Sequence, residues 1–232
     1  MQTDQQLTGL KSLRIFFSYS TEEKNIVGEL KTHLESLGFE VFLAHDDIEP
    51  CVEWQDEILK NLRRCDIFIP LFSKNFKKSD WTDQEIGIAV ASDKFIIPLQ
   101  GDLAPYGFIG KTQGLKISSK ALGTAAKNIF DIIRTKSPFE EDVKSFIINA
   151  FITSNSWHQA GERASLLSEF NNFTSDELGK LSQATTENSE ISHSFAANPV
   201  LIDFFENHKN NMSTAEFKNV MQTLKPSSQQ IT

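Results

Sequence analysis

Four short apolar runs in the first hundred positions, each divided from the next by a stretch with helical spacing, leave this chain few folds to choose from. Ser12 to Ser18 is the first run. Thr21 to Leu37 then spaces Ile26, Val27, Leu30, Leu34 and Leu37 at helical intervals, with Thr21 as N-cap and Gly38 as the stop. Phe39 to Leu43 reads as the second strand, and a loop from Ala44 to Glu53 leads to a helix from Trp54 to Arg64 with Ile58 and Leu62 inward. Asp66 to Phe72 is the third strand, Thr82 to Ser92 the third helix, and Phe95 to Leu99 the fourth strand. After an irregular segment from Gly101 to Gly114, an edge strand around Leu115 to Ile117 precedes a closing helix from Ala121 to Thr135. Parallel strands need crossover connections, which are right-handed, so the alternation predicts an α/β fold: a flavodoxin-like five-stranded parallel sheet with helices on both faces.

Strand signals stop at Ser137. Helical runs follow over Phe139–Thr153, Trp157–Phe170, Ser175–Asn188, Pro199–His208 and Ala215–Leu224, the last opened by the capping-box pattern Ser213-Thr214-Ala215-Glu216. A chain of 232 residues that is 39% hydrophobic has room for one domain of ordinary size and a small one. The expected division is an N-terminal flexible segment over 1–12, the α/β domain over 13–136, a small all-α domain over 137–224, and a fraying tail over 225–232.

The net charge of -8 argues against a surface that tracks a phosphate backbone, because nucleic-acid affinity depends on many neutralising cations. Lys60/Arg63/Arg64 and Lys74/Lys77/Lys78 therefore read as solvated faces. Cys51 and Cys65 make neither a disulfide framework nor a zinc or redox spacing, which suits a reducing cytoplasm. No leader pattern and no apolar run of spanning length is visible, so no membrane partner is expected. Gly110-Lys111-Thr112 ends like a phosphate loop, but Pro105 stands where its first glycine belongs. The five histidines are scattered with no pairing suited to a metal, and no cofactor is expected.

Over Leu13 to Thr135 the boxes resemble a Toll/interleukin-receptor (TIR) domain. Arg14-Ile15-Phe16-Phe17-Ser18-Tyr19-Ser20 is similar to the family's first box, and Ala44 to Cys51 occupies the place of its BB loop, with Pro50-Cys51 where a Pro-Gly or Ala-Gly turn is usual. Ile69 to Phe76, followed by Ser79 and Trp81, resembles the third strand and its exit. The Trp-x-x-x-Glu of Trp81 and Glu85 matches the pattern of bacterial members that cleave NAD. The helical extension lies outside the resemblance. The family implies either assembly with other TIR domains as a scaffold or removal of nicotinamide from NAD, giving ADP-ribose or a cyclic isomer, in bacteria often during anti-phage defence.

The chemistry fits one carboxylate. Nicotinamide leaves as a neutral molecule from a cationic pyridinium, so its departure needs no general acid, and positive charge gathers on the ribose as in glycoside cleavage. A fixed carboxylate beside that sugar stabilises the developing cation. The residues alone favour a capping box in which Glu85 folds back onto the Thr82 amide, whereas the resemblance reverses that preference and gives Glu85 the catalytic role.

Trp81, one helical turn earlier, would wall the substrate pocket or staple the helix start. Tyr19 and Ser20 follow the first strand, where they would contact ribose or phosphate or cap the first helix; Ser79 belongs to the exit of the third strand. Trp54 resembles the aromatic that borders the nucleotide in NAD-cleaving relatives, and packing on a helix face is its rival role. Asp47, with Asp46 and Glu49, would orient ribose hydroxyls, pair with a neighbouring subunit, or simply face solvent.

The expected function is an NAD nucleosidase active through Glu85, with NAD as substrate, self-association through TIR domains and the BB loop, and an activating ligand or protein at the helical domain. A non-catalytic TIR scaffold and an N-ribosyl transferase on the same fold are the alternatives.

Overall fold

In the computed structural model, residues 13–44 and 54–225 are described. The chain folds as two units that meet between Val143 and Lys144 in sequence.

The first unit holds β1 (Arg14–Ser18), α1 (Lys24–Ser36), β2 (Glu40–Leu43), α2 (Trp54–Arg64), β3 (Ile67–Phe72), α3 (Thr82–Ala91), β4 (Phe95–Ile96), β5 (Leu99–Gln100), β6 (Leu115–Lys116) and α4 (Leu122–Lys136). The strands pair in parallel in the order β2-β1-β3-β5-β6, with β4 also on β3, which is the flavodoxin-like winding. Every residue of β3 is buried, as a central strand covered on both faces requires. Phe16 is paired with Phe42 and Phe68 in register, and these rings share one face with Phe72, Ile58, Leu62, Ile86 and Ala89. Ile15, Phe17, Ile67 and Ile69 alternate onto the opposite face. Gly38, at φ +100°, ends α1 in the left-handed conformation the sequence anticipates, with its N–H donating to the Glu35 carbonyl at 2.8 Å.

The fourth strand, expected as one run from Phe95 to Leu99, is instead two short pieces. The cause is on its neighbour. Ile97 N donates to Phe68 O and Gly101 N to Phe72 O, each at 3.0 Å, so the even-numbered residues of β3 turn their backbone polar groups toward this strand. Pro70 is the even residue between them, and it has no N–H to complete the rung. The pairing lapses there and resumes at Leu71 with Leu99.

The second unit contains most of α5 (Glu140–Ile152), then α6 (Trp157–Leu167), α7 (Ser175–Glu187), a short α8 (Ser189–Ser192), α9 (Ala197–His208) and α10 (Thr214–Leu224). The capping box at Ser213 and Glu216 forms as expected, and a second one at Thr174 and Glu177 opens α7. Helix α9 starts two residues before Pro199, which falls in the first turn, where an N–H would have no intrahelical partner. Leu167, Leu178, Leu181, Leu201, Phe205 and Val220 are buried in this unit.

Helix α6 and the residue that precedes α9 approach tightly at Gly161, where an added Cβ would lie 2.7 Å from the Ala196 Cβ. Gly161→Ala is expected to destabilise the protein by about 1–3 kcal/mol, read as a lower urea midpoint, because a close-packed contact cannot absorb a methyl group. Gly161→Ala combined with Ala196→Gly should recover most of that loss; a double variant as unstable as the sum of the singles would place the strain elsewhere.

Candidate active site

Strand β1 ends at Ser18 and helix α3 starts at Thr82, so both deliver side chains to the carboxyl edge of the sheet, where ligands of open α/β folds bind. The path from β3 to α3 is pinned in steps. Phe76 N donates to Ser73 Oγ at 2.9 Å, and Thr82 Oγ1 donates to Phe76 O at 2.8 Å. With its hydroxyl committed to that carbonyl, Thr82 does not cap the helix; Trp81 is the N-cap residue and makes no side-chain cap bond. The capping box allowed by the sequence therefore does not form, and Glu85 points into the protein.

Glu85 is 2% exposed. Ser18 Oγ donates a short hydrogen bond to its Oε2, while Oε1 is buried without a hydrogen-bond partner. Burial pushes the Glu85 carboxyl up to about 7, against a smaller downward pull from the Ser18 hydroxyl. A carboxylate so placed has one oxygen fixed by the protein and one acceptor lone-pair set unsatisfied. It is suited to take a hydrogen bond from a sugar hydroxyl or to face a cation.

A cavity of about 430 Å³ lies at the same edge, lined by Ser20, Thr21, Glu22, Asn75, Lys78 and Ser79. Its hydroxyls, carboxamide, one ammonium group and one carboxylate suit a polar ligand rich in hydrogen-bonding groups. Asn75 Nδ2 donates to Glu23 Oε1 at 3.2 Å, which ties the segment after β1 to the one after β3. Of the residues anticipated as binding groups, Ser20 and Ser79 line this cavity. Trp81 is half-buried and donates its backbone N–H to Ser79 Oγ at 3.4 Å. Tyr19 is 0% exposed and is not one of the residues that line this cavity. Trp54 is the first residue of α2, and Asp47 falls outside the described residues, together with Asp46 and Glu49.

Ser18, Asn75 and Lys78 were not anticipated as site residues: Ser18 and Asn75 fall within the boxes of the resemblance, and Lys78 within a basic cluster expected to be a solvated face. Ser18 could have been found from the parity of β1: as the last strand residue, its side chain projects at the level where the strand enters the ligand edge. Tyr106 is a further addition. Its hydroxyl donates to Asp83 Oδ1 at 2.7 Å, its ring packs edge-on against Phe72 with centroids 5.3 Å apart, and Lys77 Nζ lies 5.3 Å from the ring centre. Burial and the Asp83 carboxylate both push the Tyr106 phenol above its ordinary range, so it is a donor. Among the described residues no cluster of His, Cys, Asp or Glu could hold a metal ion, and no helix is long and apolar enough to cross a membrane.

Residues 15–127 match the family described as TIR domain. Among solved structures, the chain is similar to the TIR domain of a Toll-related receptor from the lower metazoan Hydra magnipapillata, at 20% identity and a TM-score of 0.45, over 52% of this chain and 98% of that one. It is also similar to a CMP N-glycosidase from Clostridium botulinum, at 23% identity and a TM-score of 0.34, over 50% of this chain and 97% of that one. No curated protein matches it.

Proposed function

We propose, on the premise that residues 15–127 of this chain are a TIR domain, that it cleaves the bond between nicotinamide and ribose in NAD, with Glu85 as the catalytic group. The observation that carries this reading is the buried Glu85 carboxyl, with Oε1 unpartnered, at the carboxyl edge of the sheet. As nicotinamide departs, the ribose carbon gains positive charge, and a carboxylate in a site of low dielectric stabilises that charge more strongly than the same group in water. No proton has to be delivered to the leaving group. In this reading Ser20 and Ser79 hold ribose or phosphate oxygens, Trp81 and Trp54 border the substrate, and Asp47 in the BB loop faces a ribose hydroxyl or a neighbouring subunit. Water reaching the ribose carbon gives ADP-ribose; an adenine nitrogen reaching it gives a cyclic isomer. Assembly of TIR domains would complete the site, the helical unit would receive the activating ligand or protein, and defence against phage is the setting that suits such an enzyme.

The test is chromatography of purified protein with NAD over a range of protein concentrations. Nicotinamide should appear with ADP-ribose or its cyclic isomer, and specific activity should rise with concentration. Inactivity at every concentration would favour the scaffold, and base exchange on a free nucleoside with NAD untouched would favour an N-ribosyl transferase.

A pH profile adds a second check. The ionised carboxylate is the active form and its folded-state value is about 7, so kcat/KM for NAD is expected to climb as pH rises through about 7 and to level off above it. In the substrate complex the nicotinamidium cation favours ionisation, so the corresponding limb of kcat should lie at lower pH. Activity that falls as pH rises through this range would contradict the assignment.

A further inference from the structure

We infer that Ser18 is a positioning residue for Glu85: its buried hydroxyl holds Oε2 so that Oε1 is the single acceptor presented to a ribose hydroxyl. This rests on the reading of Glu85 as the group that faces the sugar. The geometry is specific. Ser18 is the last residue of β1 and 0% exposed, Glu85 lies in the first turn of α3, and their hydrogen bond joins elements 67 residues apart in sequence. A glutamate carboxyl turns about several single bonds, and one directional hydrogen bond to one oxygen fixes both the rotamer and the aim of the other oxygen. A serine hydroxyl has one proton, so what it gives to Oε2 it does not give to Oε1.

A purely structural role explains the pair poorly. Two apolar side chains of similar size would fill the same volume without burying a carboxyl whose second oxygen has no partner. The hydroxyl also works against burial by favouring the charged form, which is the form the chemistry needs. Glu22 and Glu23 follow β1, Lys77, Lys78 and Asp80 precede α3, and Asp83 is held by Tyr106; among the described residues the influences on Glu85 are burial, which raises it, and the Ser18 hydroxyl, which lowers it.

The test compares wild type, Ser18→Ala and Ser18→Thr, each labelled with ¹³C at glutamate side-chain carboxyls, the Glu85 signal being assigned by its loss in Glu85→Gln. Loss of a hydrogen bond to a charged group should raise the Glu85 titration midpoint in Ser18→Ala by about 1 pH unit or more, and lower kcat for NAD by about 10- to 100-fold with KM within about threefold. Ser18→Thr, which keeps the hydroxyl, should restore much of both. Ser18→Cys, similar in size with a weaker donor, is run in parallel so that the comparison does not depend on the alanine variant folding. Equal midpoints in wild type and in the variants lacking the hydroxyl would overturn the inference, as would a kcat loss that threonine does not relieve. If wild type does not cleave NAD, the proposed function falls, while the carboxyl titration still decides whether Ser18 holds Glu85.

Discussion

Glu85→Gln is expected to lower nicotinamide release from NAD by about 10³-fold or more while leaving the fold intact and, above neutral pH, firmer. The first half follows from the chemistry. An amide keeps the volume and an acceptor oxygen for the Ser18 hydroxyl, but it has no charge to set against the ribose cation. The second half follows from linkage. The Glu85 carboxyl has its folded-state value pushed up from 4.5 to about 7, so between these values the folded protein holds a proton that the unfolded chain has released. Stability therefore declines as pH rises from about 4.5 and the decline levels off above about 7, where the full cost of about 3 kcal/mol is present. Glutamine removes this dependence. Urea unfolding at pH 5 and pH 8 should show the variant gaining on wild type at the higher pH, and chromatography should show its activity gone. A glutamine variant that still releases nicotinamide at wild-type rate would remove Glu85 from the mechanism altogether.

Phe72→Ala is expected to destabilise the protein by about 3–5 kcal/mol and to abolish activity with it. Phe72 is fully buried at the end of β3, with its ring 5.0 Å from Phe76 and 5.3 Å from Tyr106, centroid to centroid. Removing the ring leaves a cavity beneath the two residues that anchor the start of α3: Phe76, whose carbonyl accepts from Thr82, and Tyr106, whose hydroxyl holds Asp83. A core truncation remote from the site would cost stability alone. Here, activity under conditions where the variant is still folded by circular dichroism should be lost as well; full activity in the folded variant would mean that α3 is held without Phe72.

The parallel winding was legible because β3 is an apolar run too short for a helix, set between helical periods, and because Gly38 has no better use than to stop α1. The helical unit was legible in the same way, down to the capping box at Ser213. Two features lie beyond any local pattern. Thr82 and Glu85 stand at capping-box spacing, but the spacing says nothing of the Phe76 carbonyl that takes the Thr82 hydroxyl, which lies across a turn. The split fourth strand is caused by Pro70, on a different element, and only the register of the sheet brings the two together. Ser18 was read as the end of a strand, which it is; its pairing with a carboxylate 67 residues away is a contact no local pattern encodes.

Pro70 carries one more consequence. Ser18 opposite Pro70 is the last pair between β1 and β3, and on the other side the rung at Pro70 is missing, so from Leu71 onward β3 is held in the sheet by Leu71 with Leu99 and Phe72 with Gln100. With so little strand pairing beyond Pro70, the stretch from Ser73 to Glu85 owes its placement to bonds outside the ladder: Lys74 N to Asp102 Oδ1, Phe76 N to Ser73 Oγ, Thr82 Oγ1 to Phe76 O and Ser18 Oγ to Glu85 Oε2. The carboxylate is thereby aimed by side chains of neighbouring segments and not by the sheet itself.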